Sequence, residues 1–442
     1  MGFVIAHRPL MIEHVFDVRA VPIDPTSRDR LAKAGLDYRL VEGDVLVDHL
    51  RAEHRGFLEG EPTDETIAEE LALHRERRVI GVYDPDAIQS LPVATEFSWV
   101  TPLTVPGGEV PMWAVSGVTV AATHRRRGIA RGILEGELRA AAGAGVAIAG
   151  LTASEATIYG RYGFASATPA ASVTIDTERA GWGSLEPAAG IAFVDREQLA
   201  DDLGALHERT RSSRLGDIAP WPRRWRQDSG LTPEAEKPRQ VRGVRAIDQS
   251  GELVGAMAFE LVEGPDFQHH TFRVRHLVAV TPDARAALWR FAINYDLVST
   301  VTASRQPIDD PLPWQVHDMN GVEQRISENG WLRILDVPAA LKARTLNGAF
   351  GVRIAVTDLL GIADGSWTLT QLGSERTRVE PLADDRQAEV TLDVGALSAA
   401  YLGAVRLETL AAAGRVSGSP DKIRTFSDAL STPTAPHLSI KY

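Results

Sequence analysis

Along this chain, apolar residues recur every second position in some stretches and every third or fourth in others. The alternation between the two is densest over residues 115–164. VSGVTVAA, residues 115–122, is a β-rich run. In GIARGILEGELRAAAGAG, Ile129, Ile133, Leu134 and Leu138 fall at helical spacing and Gly143 closes the helix. VAIAGLTA predicts a buried strand, and SEATIYGRYGF a short serine-capped helix and a turn. Strand, loop, helix, strand and short helix in that order imply a mixed or parallel sheet with helical crossovers.

Upstream, residues 1 to about 35 read as irregular around Pro22 and Pro25, and ETIAEELALHRE predicts a helix over 65–76. VIGVYD and VATEFSWVTPLTV read as strands, with a turn at PGGEV. A break at GSLEP, residues 183–187, opens a second α/β region reaching about residue 334. There VRHLVAVTPDARAALWRFA repeats the strand, threonine and helix of VSGVTVAATHRRRGIARGIL. Asp283, Ala284 and Arg285 replace the arginine run and no glycine follows, so the echo predicts a duplicated unit without the loop chemistry. Beyond residue 344, VRIAVTD, SWTLTQ, RTRVEP and AEVTLDV alternate like antiparallel strands. ALSAAYLGAVRLETLAAAG reads as helical, and PHLSIKY as a docked terminus. Three domains are expected, over 1–180 (with an irregular extension over 1–40), 181–334 and 335–442.

Composition agrees with more than one core: 442 residues, 44% hydrophobic and 24% charged. The absence of cysteine excludes disulfides, thiolate metal ligands and a cysteine nucleophile, and fits a reducing compartment. The first residues lack a basic n-region, and no window approaches the roughly 20 apolar residues of a membrane span. A cytoplasmic protein is expected, without a membrane or nucleic-acid partner, given a net charge of -12 and a pI near 5.5. A cationic substrate suits that balance.

The acidic balance makes THRRRGIA, residues 123–130, stand out. Arg125 to Ala130 has the form Arg-x-x-Gly-x-Ala between a strand and a helix. Gly128 lets the backbone turn sharply and approach a ligand. The first amides of the following helix have no internal partner and carry the positive end of its dipole. Together these predict a diphosphate cradle, set against a solvated basic turn. The commoner phosphate loops, Gly-x-x-x-x-Gly-Lys-Ser/Thr and Gly-x-Gly-x-x-Gly, are absent here. His269, His270 and His276, in HHTFRVRH, read as a strand with solvated faces, and no metal is expected.

VTVAATHRRRGIARGIL resembles the acetyl-coenzyme A loop of GNAT acetyltransferases. VTVAATHRRRG followed by LTASEATIYGRYGF is similar to the enhanced intracellular survival (Eis) family. QPIDDPLPW, NGWLRILDVPAAL, AAYLGAVRLETLAAAGR and the aromatic last residue extend the likeness over most of the chain from about residue 95. The resemblance implies an α/β plus α+β architecture: a catalytic GNAT domain, a degenerate second one and a C-terminal sterol-carrier-like domain. It also implies a homo-oligomer, a hexamer, and acetylation of small-molecule amines including aminoglycosides, often at several positions.

On that resemblance, the backbones of Val118, Thr119 and Val120 pair with the pantetheine arm as an added strand would. Arg125, Arg126, Arg127, Gly128, Ile129 and Ala130 hold the diphosphate, and Ser154 caps the short helix and touches coenzyme A. Tyr159 is the general acid, a phenol with an ordinary pKa of about 10 that stays protonated at neutral pH, with Tyr162 as its competitor. The general base is the terminal carboxylate, here on Tyr442 where phenylalanine is expected. Glu65, Glu69 and Glu70 could supply pocket carboxylates or form a solvated face. Two alternatives stand beside this: a protein lysine acetyltransferase, and a non-catalytic coenzyme A or lipid-binding assembly protein.

Overall fold

In a computed structural model the described residues are 17–153, 156–233, 240–373 and 376–442. They form two compact units. The first takes in the described residues up to 61, then 70–100 and 117–140; the second takes in 62–69, 101–116 and 141–442.

The elements that supply the first unit are α1 (Pro25–Ala32), β1 (Asp37–Leu40), α2 (Val45–Gly56), α3 (Asp64–His74), β2 (Arg78–Tyr83), β3 (Ala94–Val105), β4 (Gly108–Val120) and α4 (Ile129–Gly143). Helix α1 corrects the expectation of an irregular start. Asp24 accepts from the Ser27 amide, and Pro25 stands at the first helical position, where no N–H is needed. Residues that look like turn formers are this helix's cap. Strands β1 and β2 pair antiparallel (Tyr38↔Val82), as do β2 and β3 (Val79↔Phe97). The apolar stripe of α4 is buried as its spacing predicts: Ile129 and Ile133 pack with Leu31, Leu36, Tyr38, Ile80 and Val82.

The underside of α4 is not wholly apolar. The side chains of Arg78 and Glu137 are both fully buried and lie 3.1 Å apart, and Ser98 Oγ donates to Glu137 at 3.1 Å. Glu96 is buried beside them. Desolvation first, and the Glu137 charge next, push its carboxyl well above the ordinary 4.5.

The second unit continues with β5 (Ile148–Thr152), α5 (Ala156–Tyr159), β6 (Ala165–Asp176), α6 (Thr177–Ala180), β7 (Gly190–Val194), α7 (Arg196–Arg211), α8 (Pro222–Asp228), β8 (Val241–Ile247), β9 (Leu253–Val262), β10 (His270–Ala279), α9 (Pro282–Ile293), β11 (Val298–Gln306) and β12 (Val322–Ile334). Its strands hydrogen-bond in the order β5-β12-β6-β11-β10-β9-β8-β7. Residues 112–114 of β4 pair parallel with 148–150 of β5, and β10 pairs parallel with β11. Both parallel pairs are joined by a helix, α4 and α9, so the predicted echo is a repeated β–α–β crossover. Phe259 and Phe272, stacked 4.2 Å apart, pack with Leu288, Trp289 and Val301 in the core around α9.

The C-terminal part holds α10 (Val337–Ala343), β13 (Phe350–Thr357), β14 (Gly365–Gln371), β15 (Arg378–Pro381), β16 (Val390–Asp393), α11 (Val394–Ala400), α12 (Leu407–Ala412), β17 (Val416–Gly418) and α13 (Pro420–Leu430). Its sheet runs β15-β14-β13-β16-β17. The single helical stretch read in ALSAAYLGAVRLETLAAAG divides into α11 and α12, and α13 has no counterpart among the expected elements.

The last residues are docked, as PHLSIKY suggests. Residues 436–440 are buried without forming a strand. The His437 amide donates to the Leu215 carbonyl at 2.7 Å, Asn329 Nδ2 donates to the Leu438 carbonyl at 2.8 Å, and Ser439 Oγ donates to the buried Asp217 carboxylate at 2.9 Å. Among the described residues no helix is long and apolar enough to cross a membrane.

Candidate active site

The parallel β4–β5 register ends at Ala114↔Gly150, although β4 runs on to Val120. Val118, Thr119 and Val120 therefore lie beyond the reach of that pairing. Gly117 departs from the strand with φ +65. Thr95 Oγ1 donates to its carbonyl at 2.8 Å and lies 2.6 Å from Thr119 Oγ1. That bond turns Thr119 inward, leaving Val118 and Val120 half-buried.

Between β4 and α4 the chain makes a short 3-10 turn over Ala122–His124, then two left-handed residues, Arg126 (φ +66) and Gly128 (φ +77). A left-handed arginine carries backbone strain of order 1 kcal/mol, the kind that marks a functional turn. Gly128, just before α4, has no side chain to cap the helix's first amides. Ile129 is buried and anchors the helix start, Ala130 is half-buried, and Arg125, Arg126 and Arg127 are exposed.

The three arginines differ. Arg127 Nη1 lies 3.2 Å from Asp84 Oδ2, and His124 Nε2 lies 3.0 Å from the same oxygen. The Asp86 amide chiefly, then His124 and Arg127, hold the Asp84 carboxyl below the usual carboxylate range. Asp84 thus ties the loop down through Arg127. Arg125 and Arg126 have no ion pair among the described residues. Nothing in the loop's own sequence points to Asp84, because it comes from the turn after β2.

The second unit carries the other predicted residues. Tyr159 ends α5, half-buried, with its ring 6.2 Å from Phe164 in an edge contact. Tyr162 is buried and its carbonyl accepts from Arg333 Nε at 3.2 Å, so of the two tyrosines it is the packed one. Tyr442 is brought to the end of β5 by the docked tail. Thr152 Oγ1 donates to its main-chain oxygen. Its phenol lies against Gly150, where an added Cβ would stand 3.0 Å from the hydroxyl and 2.3 Å from Met112 Sδ, so glycine makes the room. Burial pushes that phenol above its ordinary 10. Ser154 lies outside the described residues.

Of the acidic candidates, Glu65 is exposed, Glu69 pairs with Arg223 at 3.4 Å and Glu70 with His54 at 3.0 Å. His276 is buried, 3.5 Å from Asp228, which corrects the expectation of a solvated histidine strand.

The comparisons fit this geometry. The acetyltransferase (GNAT) domain family matches residues 37–167, a second acetyltransferase (GNAT) family matches 218–334, and the sterol carrier protein domain family matches 337–439. The solved structure of Eis1 from Mycobacterium abscessus is 30% identical, covers 92% of this chain and 100% of its own, and superposes with a TM-score of 0.77. A GCN5-related N-acetyltransferase from Kribbella flavida, 23% identical with a TM-score of 0.69 over 93% of this chain and 100% of its own, shares the fold. Tandem GNAT domains followed by a sterol-carrier-like domain define an N-acetyltransferase of the GNAT type. In sequence, an N-acetyltransferase of Streptomyces avermitilis, named as uncharacterised, is 34% identical over 89% of this chain and 96% of its own length. The N-acetyltransferase Eis of Mycobacterium tuberculosis is 33% identical over 74% and 80%. The chain belongs to the Eis family of N-acetyltransferases.

Proposed function

We propose that this enzyme transfers the acetyl group of acetyl-coenzyme A to an amine of a cationic small molecule of the aminoglycoside or polyamine kind. The observation that carries the reading is the turn into α4. Beyond Ala114 strand β4 has left its parallel partner, and it leads through two left-handed residues, and past two arginines without an ion pair among the described residues, to a helix that Gly128 precedes. A strand edge suits the amide-bearing pantetheine arm, and helix amides with arginines suit a diphosphate.

The residues of the second unit supply proton chemistry. The amine nitrogen attacks the thioester carbonyl, and the tetrahedral intermediate collapses with cleavage of the C–S bond. The departing thiolate takes the Tyr159 phenol proton, and the ammonium gives its proton to the Tyr442 carboxylate, directly or through water. Thr152 holds the Tyr442 main chain for that role. The net charge of -12 favours a cationic acceptor. A homo-oligomer, a hexamer, in the cytoplasm completes the proposal.

The test is coenzyme A release with acetyl-coenzyme A and a panel of aminoglycosides and polyamines. Tyr159→Phe is expected to lower kcat by about 10²–10⁴-fold, the usual worth of a general acid. Extension of the chain past Tyr442 is expected to abolish turnover while acetyl-coenzyme A still binds. Turnover indifferent to the extension removes Tyr442 from the mechanism. Binding of the donor without turnover of any amine in the panel removes the small-molecule acceptor.

A further inference from the structure

Helices α2 and α3 bring three histidines to the first unit, and they are satisfied unequally. His54 is engaged at both ring nitrogens, by Glu59 at 2.9 Å and Glu70 at 3.0 Å. His74 Nδ1 lies 2.9 Å from the Glu70 carbonyl oxygen. A carbonyl only accepts, so that nitrogen carries the proton. Nε2 of the neutral ring then presents a lone pair to Glu53 Oε2, 3.4 Å away. Two acceptors facing each other call for a cation between them, either a second proton on His74 or a metal ion.

His49 favours the metal. Its side chain is fully buried, neither ring nitrogen has a hydrogen-bond partner among the described residues, and its Nε2 lies 4.0 Å from the same Glu53 oxygen. A proton on His74 leaves His49 unsatisfied, and buried polar groups without partners ask for an unseen water or ion. His49 and Glu53 stand four residues apart on one face of α2, and His74 arrives from the end of α3. One ligand atom from each lies within 4.8 Å of the others. Tetrahedral zinc, with bonds of about 2.0–2.1 Å, holds its ligands roughly 3.4 Å apart, so small side-chain rotations close the set.

We propose that His49, Glu53 and His74 form a divalent transition-metal site of the zinc class, with the fourth position left to water or a substrate donor. Two imidazoles and a carboxylate are the donor set such ions prefer. The Glu70 carbonyl fixes the His74 ring in the ligating tautomer, as outer partners of metal-bound histidines do. Phe97, edge-on to His74 at 4.6 Å, walls the site. Arg77, its guanidinium 4.7 Å from the Phe97 ring and 4.0 Å from that of Trp99, stacks on the same wall. The sequence gives this grouping away only in part: the His-x-x-x-Glu spacing is visible, whereas the third ligand lies 21 residues beyond Glu53 on another helix.

The test uses the untagged full chain stripped with a chelator and titrated with Co²⁺, followed by visible absorption and by metal content. One equivalent per chain is expected, with the intense visible bands of tetrahedral Co²⁺, displacement by Zn²⁺ and a metal-dependent rise in Tm. Glu53→Gln and His74→Gln are expected to lose the bands while melting in chelator as the parent does. His49→Gln is the third variant, and the other two carry the test if it fails to fold. Equal uptake by Glu53→Gln and the parent, or no uptake by the folded parent, overturns the site and leaves a His74–Glu53 ion pair in its place. None of these readings depends on acetyl transfer.

Discussion

Strand β4 leads into α4 through residues 121–128, and β10 leads into α9 through Val280 and Thr281. Each helix then returns to a parallel strand, so the backbone course is the same. At the turn the chemistry is opposite. Thr281 accepts from the Ala284 amide at 3.1 Å, and Pro282 begins α9 without an N–H. Asp283 accepts from the amides of Ala188 and Ala189 at 3.0 and 2.9 Å, and Arg285 bonds Asp310 and Gln306. These side chains are turned to the protein's own use. In the first crossover a glycine stands where a cap would be, and Arg125 and Arg126 have no ion pair among the described residues. One topology thus either turns its polar groups on the protein itself or leaves them open, as the donor site proposed above requires.

The undersides differ too: α9 buries Leu288 and Trp289, whereas α4 buries Glu137 against Arg78. Removing Arg78 is the sharpest way to test that contrast. Arg78→Ala strands Glu137 as an unpaired buried charge and is expected to cost about 3–5 kcal/mol in urea unfolding. A loss under about 1 kcal/mol would mean that the pair does not hold α4.

Next come the loop arginines. Arg125→Ala and Arg126→Ala should each weaken acetyl-coenzyme A binding by about 1.5–3 kcal/mol, read by calorimetry, since charge-assisted hydrogen bonds are of that order. Arg285→Ala, its counterpart on α9, should leave donor affinity unchanged. If the three variants behave alike, the first loop is no more a binding element than the second.

Glu96 gives a pH dependence that the apolar underside of α9 cannot. Its folded pKa lies above its ordinary 4.5, so its contribution is complete below pH 4.5 and is lost as pH rises toward the folded value. The slope is at most about 1.4 kcal/mol per pH unit. Glu96→Gln should remove that slope, so the variant gains on the parent as pH rises above 4.5. Parallel stability curves would place the charge elsewhere.

The smallest effect belongs to the capped turn. Thr281→Ala should cost about 1 kcal/mol of stability and leave the KM for acetyl-coenzyme A untouched. A raised KM would show that the second turn still takes part in binding.

Much of this contrast is legible in residue order. The spacing of Ile129, Ile133, Leu134 and Leu138 predicts α4, and the glycine-free second copy predicts a turn without ligand chemistry. What escapes is what depends on distant chain. Asp84 fastens Arg127 from a turn some forty positions earlier. Nothing in the helix's own sequence marks Glu137 for burial; Arg78, brought beneath it from β2, does. Asp24 and Pro25 look like a loop because cap residues and turn residues are the same residues. Tyr159 is set apart from Tyr162 by burial, which the motif does not show.

The docked tail has a consequence for the order in which the enzyme comes into being. Asp217, fully buried, takes hydrogen bonds from Ser439, and Leu438 packs against Gly330. The seat for these residues is made more than a hundred positions earlier in the chain, 222 in the case of Asp217 and Ser439, and until the tail arrives Asp217 lacks that partner. A nascent chain therefore cannot close this seat while it is still being translated. Chains abandoned a few codons early would leave the seat of Leu438 and Ser439 uncovered.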